Sequence, residues 1–499
     1  MEIENYAATI IPKPVSVVYS SGTFQLGPQT SIRVETGNPE VNKIAEYLAS
    51  ILAIPTGFPF RVFEATQPAA QKQIMLTITN DDPNLDEEGY SLSVTPLGIV
   101  LKAKEPAGLF WGVQTLRQLL PPKMKKNKIQ KGFLEIAAVE IRDKPRFSFR
   151  GMMLDVSRHF FGLDVIKRLI DLLVIYKLNV LHLGLTNDQG WRLMIDSWPD
   201  LALKGGRTQV GGGEGGYYSQ EEYKEILAYA QSRYVTIVPE INVPGHTNAA
   251  LVAYPELNCD GIAPPPFTGT GIHTSSLCIH KDITYTFLED VIGEVASLTP
   301  GPFIHTGGDE AETTSEEDYL EFMKQIQEIV TRHGKRLIGW DEIATSDLQP
   351  TTVVQFWRPG QMRLNLPPGV KVIFSPSWRI YLDMKYHPET PLGLDWAGSI
   401  NLQDAYDWDP VGELADVEEE DILGVEAPLW TETIESLNDI EFMAFPRLIG
   451  LGEIAWSPRN GRNLEDYRKR LAAHGPRLEA MEVNFYQSPL IAWAHEKNI

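Results

Sequence analysis

An adjacent pair of carboxylic acids, Asp309 and Glu310, follows two glycines in this sequence. In an extended backbone neighbouring side chains point to opposite sides, so the two acids can perform different tasks on one substrate. The segment before them, residues 303–306, has the apolar pattern of a buried strand, which distinguishes this pair from an ordinary exposed Asp-Glu dipeptide. We therefore interpret the pair as a candidate for acid and base chemistry.

Other apolar segments also end in polar or aromatic residues, and these are further candidates. Each has an ordinary structural alternative, because tryptophans are commonly core residues and a buried arginine or histidine often only pairs with a neighbour. Taken together, aromatic faces that stack on a pyranose, charged groups that bind hydroxyls and carboxyl groups that transfer protons describe a sugar pocket. The candidates are Arg158, Asn187, Asn242, His246, Trp340, Trp357, Tyr381, Asp383, Trp430 and Glu432.

The elements that must position these residues alternate between short apolar strands and amphipathic helices. Ser219 and Glu222 form a capping-box pattern before one such helix. Eight strands within about 350 residues favour a closed (β/α)₈ TIM barrel, in which active sites form where strands end and the βα loops begin. The eight predicted strands are residues 151–156, 180–185, 235–241, 303–306, 336–340, 353–357, 372–374 and 423–429.

The N-terminal part of the sequence has a different, mixed α/β pattern. Residues 74–79 predict a strand, residues 90–94 and 99–103 predict a hairpin, and residues 106–120 predict a helix that ends at Pro121 and Pro122. The basic run at 123–131 is expected to be a solvated loop. We therefore predict a small mixed α/β accessory domain at 1–145 and a barrel domain at 146–499.

Composition excludes several classes of function. The chain has 499 residues and a formal net charge of −22, which disfavours binding to nucleic acid or to anionic lipid. No apolar stretch is long enough to cross a bilayer, and the N-terminus has no secretory pattern, so we expect a cytoplasmic protein, or a secreted one if a signal was removed. Cys259 and Cys278 leave open one disulfide or two free thiols, and no motif indicates a metal or another cofactor.

The run at 211–216 satisfies the letter pattern of a dinucleotide-binding glycine loop. It follows polar residues where that motif requires a strand, and Glu214 would repel a pyrophosphate. We therefore predict a flexible loop and no nucleotide site.

Five ordered motifs together resemble the family 20 glycoside hydrolases, the exo-acting β-N-acetylhexosaminidases, over nearly the whole chain. They are RGMMLDVSRH at 150–159, LHLGLTNDQGWR at 181–192, PEINVPGH at 239–246, GGDE at 307–310 and APLWTE at 427–432. The resemblance implies a retaining mechanism in which the substrate's own 2-acetamido group is the nucleophile. The expected partner is a glycan or glycoconjugate with a terminal N-acetylhexosamine, GlcNAc or GalNAc.

The resemblance also implies a role for each candidate residue. Glu310 would be the general acid and base, with His246 beside it, and Asp309 would hold the acetamido N–H. Tyr381 would donate to the acetamido oxygen, and three tryptophans would enclose the methyl group. The ring hydroxyls would be bound by three charged residues, which are Arg158, Asp383 and Glu432.

Two positions depart from the family pattern, since Asn187 and Asn242 stand where the family usually has aspartate. The family's carboxylates support the histidine beside the general acid, so we expect the two amides to move the alkaline limb of the pH profile to lower pH. Two alternatives remain at this stage: a chitinase-like endo-glycosidase, and a barrel that binds N-acetylated sugar with weak or no catalysis.

Overall fold

The computed structural model describes residues 6–35, 37–64, 72–80, 82–83, 85–122, 133–271 and 274–494. The predicted basic loop at 123–131 lies outside these residues. The chain forms two compact units. The first contains Met1–Arg146, Val174–Lys177 and Gly452–Ile499, and the second contains Phe147–Leu173 and Leu178–Leu451.

The first unit is built on a seven-stranded mixed sheet with the strand order β1-β7-β5-β6-β4-β2-β3. The predicted strand, hairpin and helix are all present, as β4, β5 with β6, and α2. Helix α1 begins where the side chain of Asn38 accepts hydrogen bonds from two backbone N–H groups, and it ends at Gly57, whose φ is +67°. The elements are β1 Ser16–Leu26, β2 Ser31–Val34, α1 Pro39–Thr56, β3 Val62–Glu64, β4 Gln73–Ile78, β5 Tyr90–Thr95, β6 Gly98–Ala103, α2 Pro106–Gln118 and β7 Leu134–Asp143.

All eight predicted barrel strands are present in the second unit, and they close into one parallel barrel with the order β12-β13-β14-β15-β16-β17-β8-β9. Two two-residue strands, β10 and β11, form a hairpin beside them. The strands are β8 Phe149–Asp155, β9 Val180–Gly184, β10 Thr186–Asn187, β11 Gly190–Trp191, β12 Thr236–Val243, β13 Phe303–Gly307, β14 Arg336–Trp340, β15 Val353–Phe356, β16 Lys371–Phe374 and β17 Ile422–Leu429.

Helices connect the strands. Helix α5 begins at the predicted capping box, where Ser219 and Glu222 exchange side-chain to backbone hydrogen bonds. The glycine run at 211–216 is a loop with one 3₁₀ turn, as predicted. The helices are α3 Leu163–Ile175, α4 Asp200–Leu203, α5 Gln220–Gln231, α6 Asn248–Ala253, α7 Asp282–Leu298, α8 Glu316–Arg332, α9 Ser377–Ile380, α10 Leu402–Tyr406, α11 Leu437–Ala444 and α12 Arg447–Trp456.

The last helix, α13 (Leu464–Ala480), belongs to the first unit, whereas the sequence predicted one C-terminal domain over 146–499. Within that unit Arg470 forms an ion pair with Glu453 at 2.6 Å and donates to the carbonyl oxygen of Ile10 at 3.1 Å. Helical periodicity identifies the buried face of a helix but does not say which unit that face covers. The predicted boundary near residue 145 lies close to Arg146, where the first segment of the first unit ends. The sequence did not predict that the chain returns to that unit at Gly452.

The barrel interior is apolar at one level and polar at another. An apolar cluster contains Phe149, Val180, Val238, Ile338, Val353 and Ile373. Elsewhere in the interior His182 lies 2.9 Å from Glu426 and 3.3 Å from Glu240. Burial opposes charge on His182, but these carboxylates outweigh it and raise its pKa to about 9. The barrel therefore holds a charged histidine among carboxylates.

The two cysteines form a disulfide, Cys259–Cys278, which settles the alternative left open by the sequence. It closes a long loop between α6 and α7. No helix among the described residues is both long and apolar enough to span a membrane.

Candidate active site

The two acids of the site lie on the tight turn that follows β13. Gly307 and Gly308 have φ of +67° and +90°, and Glu310 itself has φ of +49°. A Cβ atom at Gly307 would lie 2.1 Å from the Oδ1 atom of Asn242, so only glycine fits there. The Gly-Gly sequence thus allows the chain to turn sharply and present Asp309 and Glu310 at the carboxyl end of the barrel.

His246 contacts both acids. Its Nε2 atom lies 3.4 Å from Oδ2 of Asp309 and 3.3 Å from Oε2 of Glu310. Its Nδ1 atom lies 3.1 Å from Oδ2 of Asp188. Burial disfavours the imidazolium, but the carboxylates of Asp309, Asp188 and Glu310 hold the pKa of His246 well above its ordinary value. His246 is therefore a cationic bridge among three acids.

Asp188 is held in place from several sides. Its Oδ1 atom accepts hydrogen bonds from the backbone N–H of Asn248 at 3.0 Å and from the hydroxyl of Ser275 at 2.5 Å. Burial raises the pKa of Asp188, but the hydrogen bond from His246 and these donors outweigh it and lower that pKa. Asp188 is part of the motif at 181–192, but the sequence did not assign it a role.

Asn187 and Asn242 form hydrogen bonds with groups other than His246. Asn187 uses its Oδ1 atom to accept the backbone N–H of Asp188 at 2.8 Å, within the β10–β11 hairpin. Asn242 donates from Nδ2 to Oδ1 of Asp309 at 2.9 Å. The carboxylate that pairs with Nδ1 of His246 is Asp188, the next residue in the chain. Adjacent side chains in a strand face opposite ways, which explains why Asp188 reaches His246 and Asn187 does not.

Three charged residues lie on another wall of the same cavity. Arg158 lies 3.9 Å from Glu432 and 3.5 Å from Asp155, with its guanidinium 4.8 Å from the ring centroid of Trp430. Arg158 thus forms both a structural ion pair, with Asp155, and a contact with Glu432 in the cavity wall. Arg158 therefore connects Asp155, the last residue of β8, to Glu432 in the cavity wall.

Asp383 is 1% exposed, and neither of its carboxylate oxygens has a hydrogen-bond partner among the described residues. The same holds for Oε2 of Glu432. Burial and the charge of Glu432 raise the pKa of Asp383 well above its ordinary value, and burial also raises the pKa of Glu432. Buried acceptors without partners are costly, so this wall is suited to a ligand that brings several hydroxyl groups.

Aromatic rings form the remaining walls. The rings of Trp340 and Trp430 have centroids 5.7 Å apart, and Trp357 stacks on Tyr381 at 6.3 Å with an interplanar angle of 17°. The indole N–H of Trp340 donates to Oε1 of Glu240 at 3.0 Å. Burial, with added repulsion from nearby carboxylates, raises the pKa of Tyr381 well above its ordinary value, so its hydroxyl remains a hydrogen-bond donor.

One cavity of about 480 Å³ brings these residues together. Ten of the twelve residues named from the sequence line it, and Asn187 and Asn242 do not. Sequence reasoning missed four lining residues, which come from long loops without periodicity. The lining residues are Arg158, His246, Thr270, Gly271, Asp309, Glu310, Trp340, Trp357, Tyr381, Asp383, Leu394, Trp396, Trp430 and Glu432.

Two groups among the described residues have ligand-type atoms within 4.8 Å of one another: His246 with Asp309 and Glu310, and His182 with Glu240 and His305. In both groups a histidine contacts carboxylates directly, and the pKa of His246 and of His182 is raised. His246, Asp309 and Glu310 line the cavity together, which places groups capable of proton transfer next to the hydroxyl-binding wall.

Comparison with known proteins agrees with this geometry. Residues 147–319 and 313–459 match the catalytic domain of glycosyl hydrolase family 20, and residues 7–144 match domain 2 of that family. The β-N-acetylhexosaminidase of Cellulomonas fimi is 38% identical over 490 residues, which is 97% of each chain.

Solved structures are also similar over almost the whole chain. The Streptomyces plicatus N-acetyl-β-hexosaminidase in complex with Thio-NAglucal is 46% identical, with a TM-score of 0.93 and coverage of 98% of both chains. The family 20 β-N-acetylhexosaminidase of Streptomyces coelicolor A3(2) is 44% identical, with a TM-score of 0.92 and coverage of 98% and 99%. The match to a glycosyl hydrolase catalytic domain, together with the acidic cavity of the barrel, identifies a glycoside hydrolase. The chain belongs to glycosyl hydrolase family 20.

Proposed function

We propose that this protein is an exo-acting β-N-acetylhexosaminidase that removes a terminal, β-linked N-acetylhexosamine with retention of configuration. The observation that carries the proposal is the convergence of the Asp309–Glu310 pair, the hydroxyl-binding wall and the aromatic walls on one cavity. A mutant of the Streptomyces plicatus enzyme, 46% identical to this chain, has been solved with the product GlcNAc. That relative supports an N-acetylated sugar as the ligand here.

In the first step the carbonyl oxygen of the 2-acetamido group attacks C1, and the bond from C1 to the leaving oxygen breaks. Glu310 donates its proton to that oxygen, and the sugar becomes a bicyclic oxazolinium ion. Asp309 accepts the acetamido N–H and stabilises the positive charge that develops there, while the Tyr381 hydroxyl donates to the attacking oxygen. Asn242 keeps Asp309 oriented for this task, since it donates to the other carboxylate oxygen.

In the second step the Glu310 carboxylate accepts a proton from water, which attacks C1 and opens the oxazolinium ring. Two inversions at C1 give the β product. The Asp188–His246 pair places an imidazole 3.3 Å from Oε2 of Glu310, where it can hold that side chain in position for this step. The aromatic walls hold the acetamido group in a near-attack geometry, which lowers the entropic part of the barrier.

The same cavity favours exo over endo action. Arg158, Asp383 and Glu432 lie where they can bind the 3-, 4- and 6-hydroxyls, and a sugar whose outer hydroxyls are bound has no room for a further residue on that side. This feature weighs against a chitinase-like endo-enzyme. The complete acid pair and the donor hydroxyl of Tyr381 weigh against a barrel that only binds sugar.

The test is steady-state kinetics on p-nitrophenyl β-glycosides of GlcNAc, GalNAc and glucose, with a thiazoline mimic of the bicyclic ion as inhibitor. We expect turnover of the N-acetylated substrates, strong inhibition by the thiazoline, and a loss of about 10²-fold or more in kcat/KM for Glu310→Gln. Activity should persist after treatment with a chelator. Equal turnover of the glucoside, which has no acetamido group, would refute the proposed mechanism.

A further inference from the structure

The turn after β14 connects two of the aromatic walls. Trp340 is the last residue of that strand, and a 3₁₀ turn, Asp341–Thr345, follows it at once. The first two residues of the turn, Asp341 and Glu342, direct their carboxylates to Trp357, which follows the neighbouring strand β15. Three consecutive residues therefore supply one aromatic wall, Trp340, and the two acids that contact a second wall, Trp357.

Asp341 holds the backbone of the second wall. Its Oδ2 atom accepts the backbone N–H groups of Trp357 at 3.2 Å and of Arg358 at 3.3 Å. Its Oδ1 atom forms an ion pair with the guanidinium of Arg358. Asp341 is completely buried, so this carboxylate has exchanged water for three protein donors.

Glu342 fixes the indole ring of Trp357. Its Oε2 atom accepts the Nε1–H of Trp357 at 3.0 Å and lies 4.0 Å from Nε of Arg358. Its side chain is 18% exposed. The ring of Trp357 is also stacked on Tyr381, so the hydrogen bond fixes its rotation within that stack. Asp341 is buried and Glu342 largely so, and removing two acids that share one guanidinium from water is costly. Both acids contact the same tryptophan.

We propose that Glu342 and Asp341 are positioning residues that set the enzyme's selectivity for the N-acetyl group, because they fix the Trp357 wall that encloses the acyl methyl. This inference rests on the proposed function. A fixed wall fits a methyl group and excludes a longer acyl chain, whereas a loosened wall accepts both. Such positioning also keeps the acetamido oxygen in line with C1.

The protonation of Glu342 can also affect the site. Burial, followed by the charges of Asp341 and Asp309, raises the pKa of Glu342 to about 8, although Arg358 and the Trp357 hydrogen bond oppose the shift. Tyr319 also faces Glu342; its hydroxyl donates to the Gly308 carbonyl and its pKa is raised. Three more carboxylic acids line the same cavity as Glu342, which are Glu310, Glu312 and Glu316. Loss of the proton that the Asp341–Glu342 pair retains would add negative charge near Asp309.

The test compares Glu342→Ala and Glu342→Gln with wild type on p-nitrophenyl β-glycosides that carry an N-acetyl or an N-propionyl group. For Glu342→Ala we expect the ratio of kcat/KM between the two substrates to fall about tenfold, since the wall loses its hydrogen bond. Glu342→Gln keeps an acceptor for the indole and should keep the ratio at pH 7. The exposed Glu328 of α8 provides the matched controls, Glu328→Ala and Glu328→Gln, which should behave as wild type.

The pH profile separates positioning from general structural support. Wild type should change its kcat/KM for the N-acetyl substrate as Glu342 ionises near pH 8, and Glu342→Gln should lack that change. An unchanged acyl ratio in folded Glu342→Ala, or an equal loss on both substrates, would overturn the inference. If the alanine variant does not fold, a pH profile of Glu342→Gln identical to wild type would overturn it instead. If the proposed function itself is wrong, the result is different: the wild-type enzyme will be inactive on the N-acetyl substrate.

Discussion

Asn242 donates a hydrogen bond from Nδ2 to Oδ1 of Asp309 at 2.9 Å, and the other oxygen of that carboxylate, Oδ2, lies 3.4 Å from His246. An amide in this position supplies a donor without adding a charge. The acid that is proposed to orient the acetamido group is therefore held by one neutral and one cationic partner. An aspartate in place of Asn242 would present a second carboxylate to Asp309.

The first prediction follows from this contact. Asn242→Asp adds negative charge beside the acid pair, and nearby negative charge favours the protonated forms of neighbouring acids. We expect the alkaline limb of kcat/KM against pH to move to higher pH by about 0.5–1 unit. The control is Asn187→Asp, because Asn187 contacts the backbone of Asp188 and its effect should be smaller. A limb that stays in place or moves to lower pH in Asn242→Asp would contradict the prediction.

The second prediction concerns the Tyr381 hydroxyl. Burial and the neighbouring acids raise its pKa, so it remains a donor throughout the working pH range. Tyr381→Phe keeps the stacking on Trp357 but removes the donor, and we expect kcat to fall about 10²–10³-fold with little change in KM. Steady-state kinetics on p-nitrophenyl GlcNAc measures this split. Tyr285→Phe in α7 serves as the control, and an equal loss in both variants would argue against a specific role.

The third prediction concerns the disulfide Cys259–Cys278. The loop that it closes carries Ser275, which donates to Asp188 at 2.5 Å and accepts from the backbone of Thr247 at 2.7 Å. We expect the double variant Cys259→Ser/Cys278→Ser to lose about 2–4 kcal/mol of unfolding free energy and to lower kcat/KM as well. Denaturant unfolding and kinetics measure the two effects. Full activity in the stably folded double variant would show that the loop does not need the disulfide to support Asp188.

The fourth prediction concerns stability at acidic pH. His474 is buried in the first unit, where it contacts the Tyr176 hydroxyl and the Thr9 carbonyl. Burial lowers its pKa from 6.5 to about 3, so in this interval the unfolded chain binds a proton that the folded protein does not. The free energy of unfolding must therefore fall as the pH decreases from 6.5, by up to about 1.4 kcal/mol per pH unit from this group.

Comparison of wild type with His474→Gln in denaturant unfolding at several pH values tests this assignment. The variant should lose part of the acid dependence, whatever its stability at neutral pH. His280, whose side chain is 69% exposed, provides the control, since His280→Gln should keep the wild-type slope. Equal slopes in all three proteins would refute the contribution of His474.

The barrel could be predicted because its strands are short apolar segments that each end in polar residues. The predicted strand at 336–340 coincides with β14, and the other seven differ from the observed strands by only a few residues. The position of α13 could not be predicted, because its pattern shows a buried face and not the partner of that face. The pairing of Cys259 with Cys278 also depends on loop geometry that two cysteines alone do not encode.

At the site, residue types and the family motifs predicted the lining of the cavity but not its internal contacts. Asp188 and Asn187 are adjacent in one motif, and only the backbone direction of the hairpin decides that Asp188 reaches His246. Trp396 lines the cavity from a loop and is 52% exposed, so no periodic pattern marks it. Contacts between distant segments require the three-dimensional arrangement of the strand ends.

The consecutive order of Trp340, Asp341 and Glu342 limits how this enzyme can be altered. Insertion or deletion of a single residue in that turn would displace one tryptophan and release another at the same time, with no intermediate in which only one is affected. Laboratory selection for bulkier acyl groups is therefore expected to yield replacements at positions 342 and 357, while the length of this segment stays constant. Acyl preference in this scaffold is adjusted by side-chain chemistry rather than by loop length.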